Sequence, residues 1–241
     1  MNGFGLQDSI IRSLSDAGYR RSAANPALHI ASVESLNRAA RFLARRYYVS
    51  RVGRFYQKTG QLSHVSGRIP ARALQGRDVD PILDAAVLGS RETAESIAAC
   101  VDKALTREDA EIVARIPYWR ELVRYDSSYF LAEARSQRPV SEMPLANPDA
   151  LTIDFDWDLF RELGHSGEQG IPEIPRQKTT LVFCCDSKGA VSVTRPTDVA
   201  MQLMALADGT RSLVALAEAV NYPQQRTDAL VECLRKAGAL L

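Results

Sequence analysis

Thr180-Leu-Val-Phe-Cys-Cys-Asp186, then Ser187-Lys-Gly189, then Ala190-Val-Ser-Val-Thr194, is the stretch on which the fold of this chain turns. The first segment is apolar and β-prone, the second is turn chemistry, and the third alternates as a half-buried strand does. Together they predict a hairpin. Toward the C-terminus, Asp198 to Ala207 sets Val199, Met201, Leu203, Met204 and Leu206 at helical spacing and stops at Asp208-Gly209. A second helix starts at Ser212, carries Leu213, Leu216, Ala217 and Val220, and is broken by Tyr222-Pro223. A third runs from Thr227 to Ala237 with Leu230, Val231 and Leu234 inward, and Gly238 supplies its stop.

A two-stranded ribbon followed by three short helices is the order of a small winged-helix module. Within it, Gly189-Ala-Val-Ser-Val, the helix end Leu206-Ala-Asp-Gly-Thr210, Leu213-Val-Ala-Leu-Ala217 and Leu234-Arg-Lys-Ala-Gly-Ala-Leu240 resemble the PqqD-like peptide-recognition fold, a family of leader-peptide binders. The resemblance implies that a ribosomally made precursor peptide adds as an edge strand to a small sheet and rests against the last helix. By it, the docking edge is Ala190, Val191, Ser192, Val193, Thr194 and Arg195, and the groove wall is Leu230, Leu234 and Arg235. A strand edge suits the task because its unpaired N–H and C=O groups bind any extended peptide, while an adjacent groove selects side chains. The same apolar side chains also suit an ordinary core.

Winged helices often bind duplex DNA, and charge is the first test of that alternative. From Thr179 onward, Lys188, Arg195, Arg211, Arg226, Arg235 and Lys236 are balanced by Asp186, Asp198, Asp208, Glu218, Asp228 and Glu232. Duplex binding needs a basic face that releases counterions, and the last helix mixes Asp228 and Glu232 with Arg235 and Lys236. Nucleic acid is thereby disfavoured, and a DNA-binding regulator stands as the alternative function.

Upstream, Ala150-Leu-Thr-Ile-Asp-Phe-Asp-Trp-Asp158 alternates and predicts a third strand, with Leu151, Ile153, Phe155 and Trp157 inward and Asp154, Asp156 and Asp158 in solvent. No Gly or Glu follows at calcium-loop spacing, so these carboxylates read as a solvated face and not as metal ligands. Gly164 to Gly170 and Pro172 to Pro175 read as a loop, and Arg138 to Pro148 as a linker.

The N-terminal portion reads as helical. Its clearest segment, Ser32 to about Lys58, places Val33, Leu36, Ala40, Leu43, Tyr47 and Phe55 on an apolar side. Arg38, Arg41, Arg45, Arg46, Arg51 and Arg54 form a basic stripe against the lone Glu34, interrupted by Gly53, suited to an acidic partner, to phosphate or to plain solvation. Pro81 to Leu88, Glu92 to Leu105 and Arg107 to Ala114 continue as helices, with Thr106 as the cap that starts the last. Then Ile116 to Ala134 opens with a proline and is rich in aromatics; its core, Pro117-Tyr-x-x-Glu-Leu-x-Arg-Tyr125, resembles the closing helix of a helical domain in partner proteins of multinuclear non-heme iron peptide-modifying oxidases, the methanobactin-type and thiaglutamate-type systems. The resemblance implies partner contacts through Tyr118, Trp119, Tyr125 and Tyr129, and the basic stripe adds Arg45 and Arg46 as candidate partner contacts. A buried amphipathic helix is the competing reading of the aromatics.

The chain has 241 residues, 46% hydrophobic content and a formal net charge of +1, enough for two modest domains and without the signature of bulk disorder. No apolar run approaches the roughly 20 residues needed to span a bilayer, and Met1-Asn-Gly-Phe-Gly lacks signal-peptide regions, so the expected compartment is the cytoplasm. Cys100, Cys184, Cys185 and Cys233 lack paired ligand spacing and read as buried free thiols. His29, His64 and His165 sit in dissimilar segments, whereas an iron oxidase needs several histidines and carboxylates converging on its metal. There is no phosphate loop, nucleophile elbow or His-Glu-x-x-His.

The expectation is therefore an α+β protein. Residues 1–137 form an all-helical, oxidase-docking domain, 138–149 a linker, and 150–241 a PqqD-like domain with a three-stranded sheet and three helices. It would be a non-catalytic subunit without cofactor or metal of its own. It would bind a precursor-peptide leader by β-augmentation and form a heterodimer with an oxidase that carries the iron. A free-standing enzyme remains a third possibility.

Overall fold

A computed structural model of the chain describes residues 3–22, 25, 27, 31–134, 141–160, 171–186 and 188–241. His29, His165, Ser187, the loop from Gly164 to Gly170 and the first three linker positions lie outside the described residues. The fold is α+β: among the described residues it comprises twelve α-helices and one three-stranded antiparallel sheet. The chain divides into two compact units, Met1–Arg115 and Ile116–Leu241. No helix among the described residues is long and apolar enough to cross a membrane.

The first unit is helical: α1 Gly3–Ser15, α2 Ala17–Arg20, α3 Val33–Phe55, α4 Gln57–Gln61, α5 Ser63–Ser66, a 3-10 turn Pro70–Leu74, α6 Asp80–Asp84, α7 Arg91–Thr106 and α8 Ala110–Arg115. Ser32 caps α3, accepting from Ser35 N–H at 3.2 Å. The buried line of α3 runs Leu36, Ala40, Ala44, Tyr48, Val52 and Phe55, a stripe of i to i+4 steps along one side. Val33 is 49% and Leu43 38% exposed, so the stripe passes beside these two expected core positions. Thr106 proves to be the last residue of α7, its hydroxyl donating to the Asp102 carbonyl, and α8 starts only at Ala110. A threonine that bonds back to the preceding turn ends a helix instead of capping the next.

The arginine stripe on α3 is largely consumed within the unit. Arg41 grips Asp84 with two bonds of 2.6 and 2.7 Å and reaches Asp80 at 3.1 Å. Arg45 bonds Asp80 and the Leu74 carbonyl. Arg38 pairs with Glu34, and the guanidinium groups of Arg51 and Arg54 lie over Tyr47 and Phe55. The lone-acid reading of the stripe is corrected: α6 brings acids to α3 that are remote in sequence, and bidentate Arg–carboxylate geometry holds them.

The second unit consists of α9 Trp119–Glu133, β1 Leu151–Phe155, β2 Thr179–Cys185, β3 Val191–Thr194, α10 Asp198–Leu206, α11 Leu213–Ala219 and α12 Gln224–Ala237. The sheet order is β1-β2-β3, with Phe183 opposite both Leu151 and Val193. Because side chains alternate, β2 feeds two layers. Val182 and Cys184 join Ala200, Leu203, Leu216, Val231 and Leu234 in the core under α10–α12. Phe183 meets Tyr125 of α9 edge-on at 5.1 Å, with Phe155 alongside. Helix α9 thus belongs to the sheet unit, and the expected domain limit at residue 137 moves to 115/116. The reason is the second apolar face of β2, which α9 covers.

Linker positions 141–149 are not a free connection. Ala146 N–H donates to the Ala207 carbonyl at 2.7 Å, Asn147 Nδ2 to the Gly238 carbonyl at 2.7 Å, and Leu241 N–H to the Leu145 carbonyl at 2.8 Å. The segment satisfies backbone groups around the C-terminal end of α12 that the helix itself leaves open. Gly238 ends α12 with φ +82°, and a Cβ there would stand 2.2 Å from the Cys185 carbonyl oxygen. Only glycine lets helix and strand approach so closely.

Candidate functional site

The two edges of the sheet are treated differently. Along β1, Arg124 Nη1 of α9 donates to the Asp154 carbonyl at 3.2 Å, and just past the end of the strand the Glu121 carboxylate accepts from Asp156 N–H at 3.0 Å and Trp157 N–H at 3.2 Å. Side chains of α9 thus lie along that edge. Asp154 and Asp156 are exposed as expected, but Asp158 is only 2% exposed and receives an ion pair from Arg195. Its expected solvent position is corrected, since β1 ends at Phe155 and the alternation ends with it.

On β3 the phase of the ladder follows from the hairpin turn. Asp186 N–H donates to the Ala190 carbonyl at 2.9 Å, Gly189 N–H to the Asp186 carbonyl at 3.1 Å, and Gly189 sits at φ +88°. This closing pair directs the backbone of Ser192 and Thr194 toward β2, and that of Val191 and Val193 outward, by the alternation of an antiparallel ladder. No strand among the described residues pairs with that outer edge. Tyr129 of α9 brings its hydroxyl to 3.5 Å from the Val191 carbonyl, a bond at the limit of useful length. All four β3 residues are half-buried.

The expected peptide-binding residues therefore divide. Ala190 closes the turn; Val191 and Val193 present the edge; Ser192 and Thr194 hold the ladder, with Ser192 Oγ donating to the Ala237 carbonyl at 3.0 Å. Arg195 anchors the end of β3 through Asp158. The expected groove wall is mostly corrected: Leu234 lies in the core, Leu230 packs partly buried against it, and Arg235 donates to the Ser141 and Glu142 carbonyls at 3.1 and 3.3 Å. Those carbonyls come from a segment that sequence spacing left as linker.

The partner-contact set divides likewise. Tyr118, Trp119 and Tyr125 are buried at 3%, 0% and 8% exposure, so they carry no docking surface. Burial pushes the Tyr118 phenol up to about 12 and the Tyr125 phenol higher still, and the Tyr118 hydroxyl donates to the Pro172 carbonyl at 2.7 Å. Arg45 is committed to Asp80, whereas Arg46 is exposed. Tyr129 stands at the β3 edge, a role that sequence reasoning missed; its place four residues after Tyr125, on the same helical side, was the available signal.

Among the described residues no group of three or more His, Cys, Asp or Glu is placed to hold a metal ion. No disulfide joins the four cysteines, and Cys184 and Cys185 are buried as expected, but Cys233 is exposed and Cys100 half-buried, which corrects the uniformly buried reading. No protein-family model matches the chain, and a search of curated proteins finds no match either.

Proposed function

We propose that the second unit is a PqqD-like winged-helix module that binds an extended peptide along β3, and that the chain is a non-catalytic accessory subunit of a peptide-modifying complex. The observation that carries this reading is the outer edge of β3, which no strand among the described residues pairs and where the ladder phase turns the N–H and C=O of Val193 outward, whereas Glu121 and Arg124 of α9 lie along the β1 side. Proteins generally blunt such edges, so an ordered, half-buried edge with no strand partner among the described residues supports a template for β-augmentation. A hairpin followed by three helices packed on one sheet face, together with the sequence resemblance, supports the winged-helix assignment.

In this reading the bound peptide is the leader of a ribosomally made precursor, and the helical unit docks an iron-dependent oxidase. Holding the leader raises the effective concentration of the peptide core at the partner's metal, without the chain supplying a catalytic group. The DNA-binding alternative gains no support from α12, where Arg235 is turned onto Ser141 and Glu142, and Lys236 pairs with Glu232 at 3.5 Å.

The test is capture by the tagged full chain from its native extract, with mass spectrometry of bound proteins and peptides and iron analysis of the eluate. A short peptide together with an iron protein is expected, and Val193→Pro should lose the peptide while keeping the protein partner. Recovery of duplex DNA at low salt alone, or peptide capture indifferent to Val193→Pro, would sink the reading.

A further inference from the structure

The first unit carries an apolar trough of about 540 Å³ to which nothing above assigns a role. Ile11 and Leu14 of α1, Leu43 and Tyr47 of α3, and Leu88 line it. Its frame is fixed: Leu88 N–H donates to the Ser15 carbonyl at 2.8 Å, Ala17 N–H to the Ala86 carbonyl at 3.2 Å, and Asp16 bridges Val87. Ile11 is 55% and Leu43 38% exposed, and the neighbouring Phe42 is 63% exposed. Large apolar side chains so open to water mark an interaction surface instead of an enclosed small-molecule cavity, which would bury most of its ligand.

Charge selects the occupant. The charged side chains lining the trough, Arg46 and Arg51, are both basic, and Arg51 is held over the Tyr47 ring at 4.4 Å, at the lip. The acids that α6 supplies to α3, Asp80 and Asp84, are spent on Arg41 and Arg45. Leu43 and Tyr47 are one helical turn apart and face the α1 pair, so the trough accepts side chains spaced i, i+4 from an opposing helix.

We propose that this trough docks an amphipathic helix of a partner protein whose apolar stripe is flanked by Asp and Glu. The apolar stripe fills the space over Leu43 and Ile11, and the flanking carboxylates meet the exposed Arg46. The inference gives the docking half of the proposed function a surface, and rests on it only for the existence of a protein partner.

The experiment is selection from a displayed library of helical peptides, with leucines fixed at i, i+3, i+4 and i+7 and randomised flanks, against the full chain. Binders rich in Asp and Glu are expected, weakened by about tenfold or more on Arg46→Glu. Against the double variant Arg46→Glu, Arg51→Glu the selected flanks should turn to Lys and Arg, an inversion that a misfolded protein cannot produce. Flanks without acidic bias, or binders indifferent to Arg46→Glu, overturn the proposal. So does a dimer in sedimentation that Leu43→Glu abolishes, which would assign the trough to a second copy, or displacement of the peptides by laurate, which would assign it to an amphiphile. Loss of these binders with Val193-dependent peptide capture intact would refute the trough alone.

Discussion

Gly238 shows how much a single residue decides in the second unit. Its φ of +82° and the 2.2 Å separation between a virtual Cβ and the Cys185 carbonyl oxygen leave no room for a methyl group against rigid backbone. Gly238→Ala is expected to cost about 3 kcal/mol or more, combining left-handed strain with overpacking, read as a lower urea midpoint. Gly53 is the contrast, since it lies inside α3 with nothing within 4 Å of a virtual Cβ. Gly53→Ala should stabilise by about 0.5–1 kcal/mol in the same assay. The buried tyrosines set an alkaline limit. Burial pushes Tyr48 and Tyr118 from 10.0 up to about 12, and Tyr125 upward as well. The unfolded chain releases these protons first, so stability is fully present below pH 10 and falls as pH rises from 10 through 12. Denaturant midpoints measured across that window should decline, and Tyr118→Phe should flatten its share of the decline.

At the level of elements, the hairpin is the part that sequence patterning reads best. Strong apolar runs, a glycine turn and Ser212 as a cap are local signals; Ser212 accepts from Ala215 N–H at 3.2 Å as such a cap should. What patterning does not reveal is the phase of β3. Val193 points its N–H outward, so Val193→Pro removes the donor proposed to dock the peptide and leaves the β2–β3 ladder intact, whereas Ser192→Pro breaks that ladder. Circular dichroism and peptide capture separate the two: Val193→Pro should fold and fail to capture peptide, and Ser192→Pro should lose stability. If Val193→Pro captures peptide normally, β3 is not the docking edge. On α3, the arginines are readable one by one, yet their partners Asp80 and Asp84 arrive from another helix. Reversing Arg45 would therefore damage the unit, and Arg46 is the informative position.

For the whole molecule, the decisive feature is the allegiance of α9. Its aromatics suggested a docking surface to sequence reasoning, but Tyr125 packs on Phe155 at 6.1 Å and on Phe183 at 5.1 Å. A chain covering residues 116–241 is expected to fold cooperatively, and one starting at residue 138 to be molten. Removing α9 uncovers Phe155 and Phe183, about 1.5–3 kcal/mol each. Near-ultraviolet dichroism and thermal melts of the two chains check this, and cooperative melting of the shorter one would return α9 to the helical unit.

Sequence by itself determined the elements whose causes are local: the hairpin, the three C-terminal helices with their glycine stop, the long α3, and a mixed helix-and-sheet class, though α12 starts at Gln224, three residues before the expected Thr227, because Pro223 can lead straight into a helix. Tertiary structure alone decided which faces those elements share. It placed α9 on the sheet and pinned positions 141–149 to the end of α12. It laid Glu121 and Arg124 along β1 and gave the outer side of β3 no strand partner among the described residues, and it spent Arg41 and Arg45 on α6 while leaving Arg46 beside an apolar trough. The physical reason is range. Helix and turn propensities act over a few residues, whereas burial and charge pairing depend on groups that only folding brings within a few ångströms.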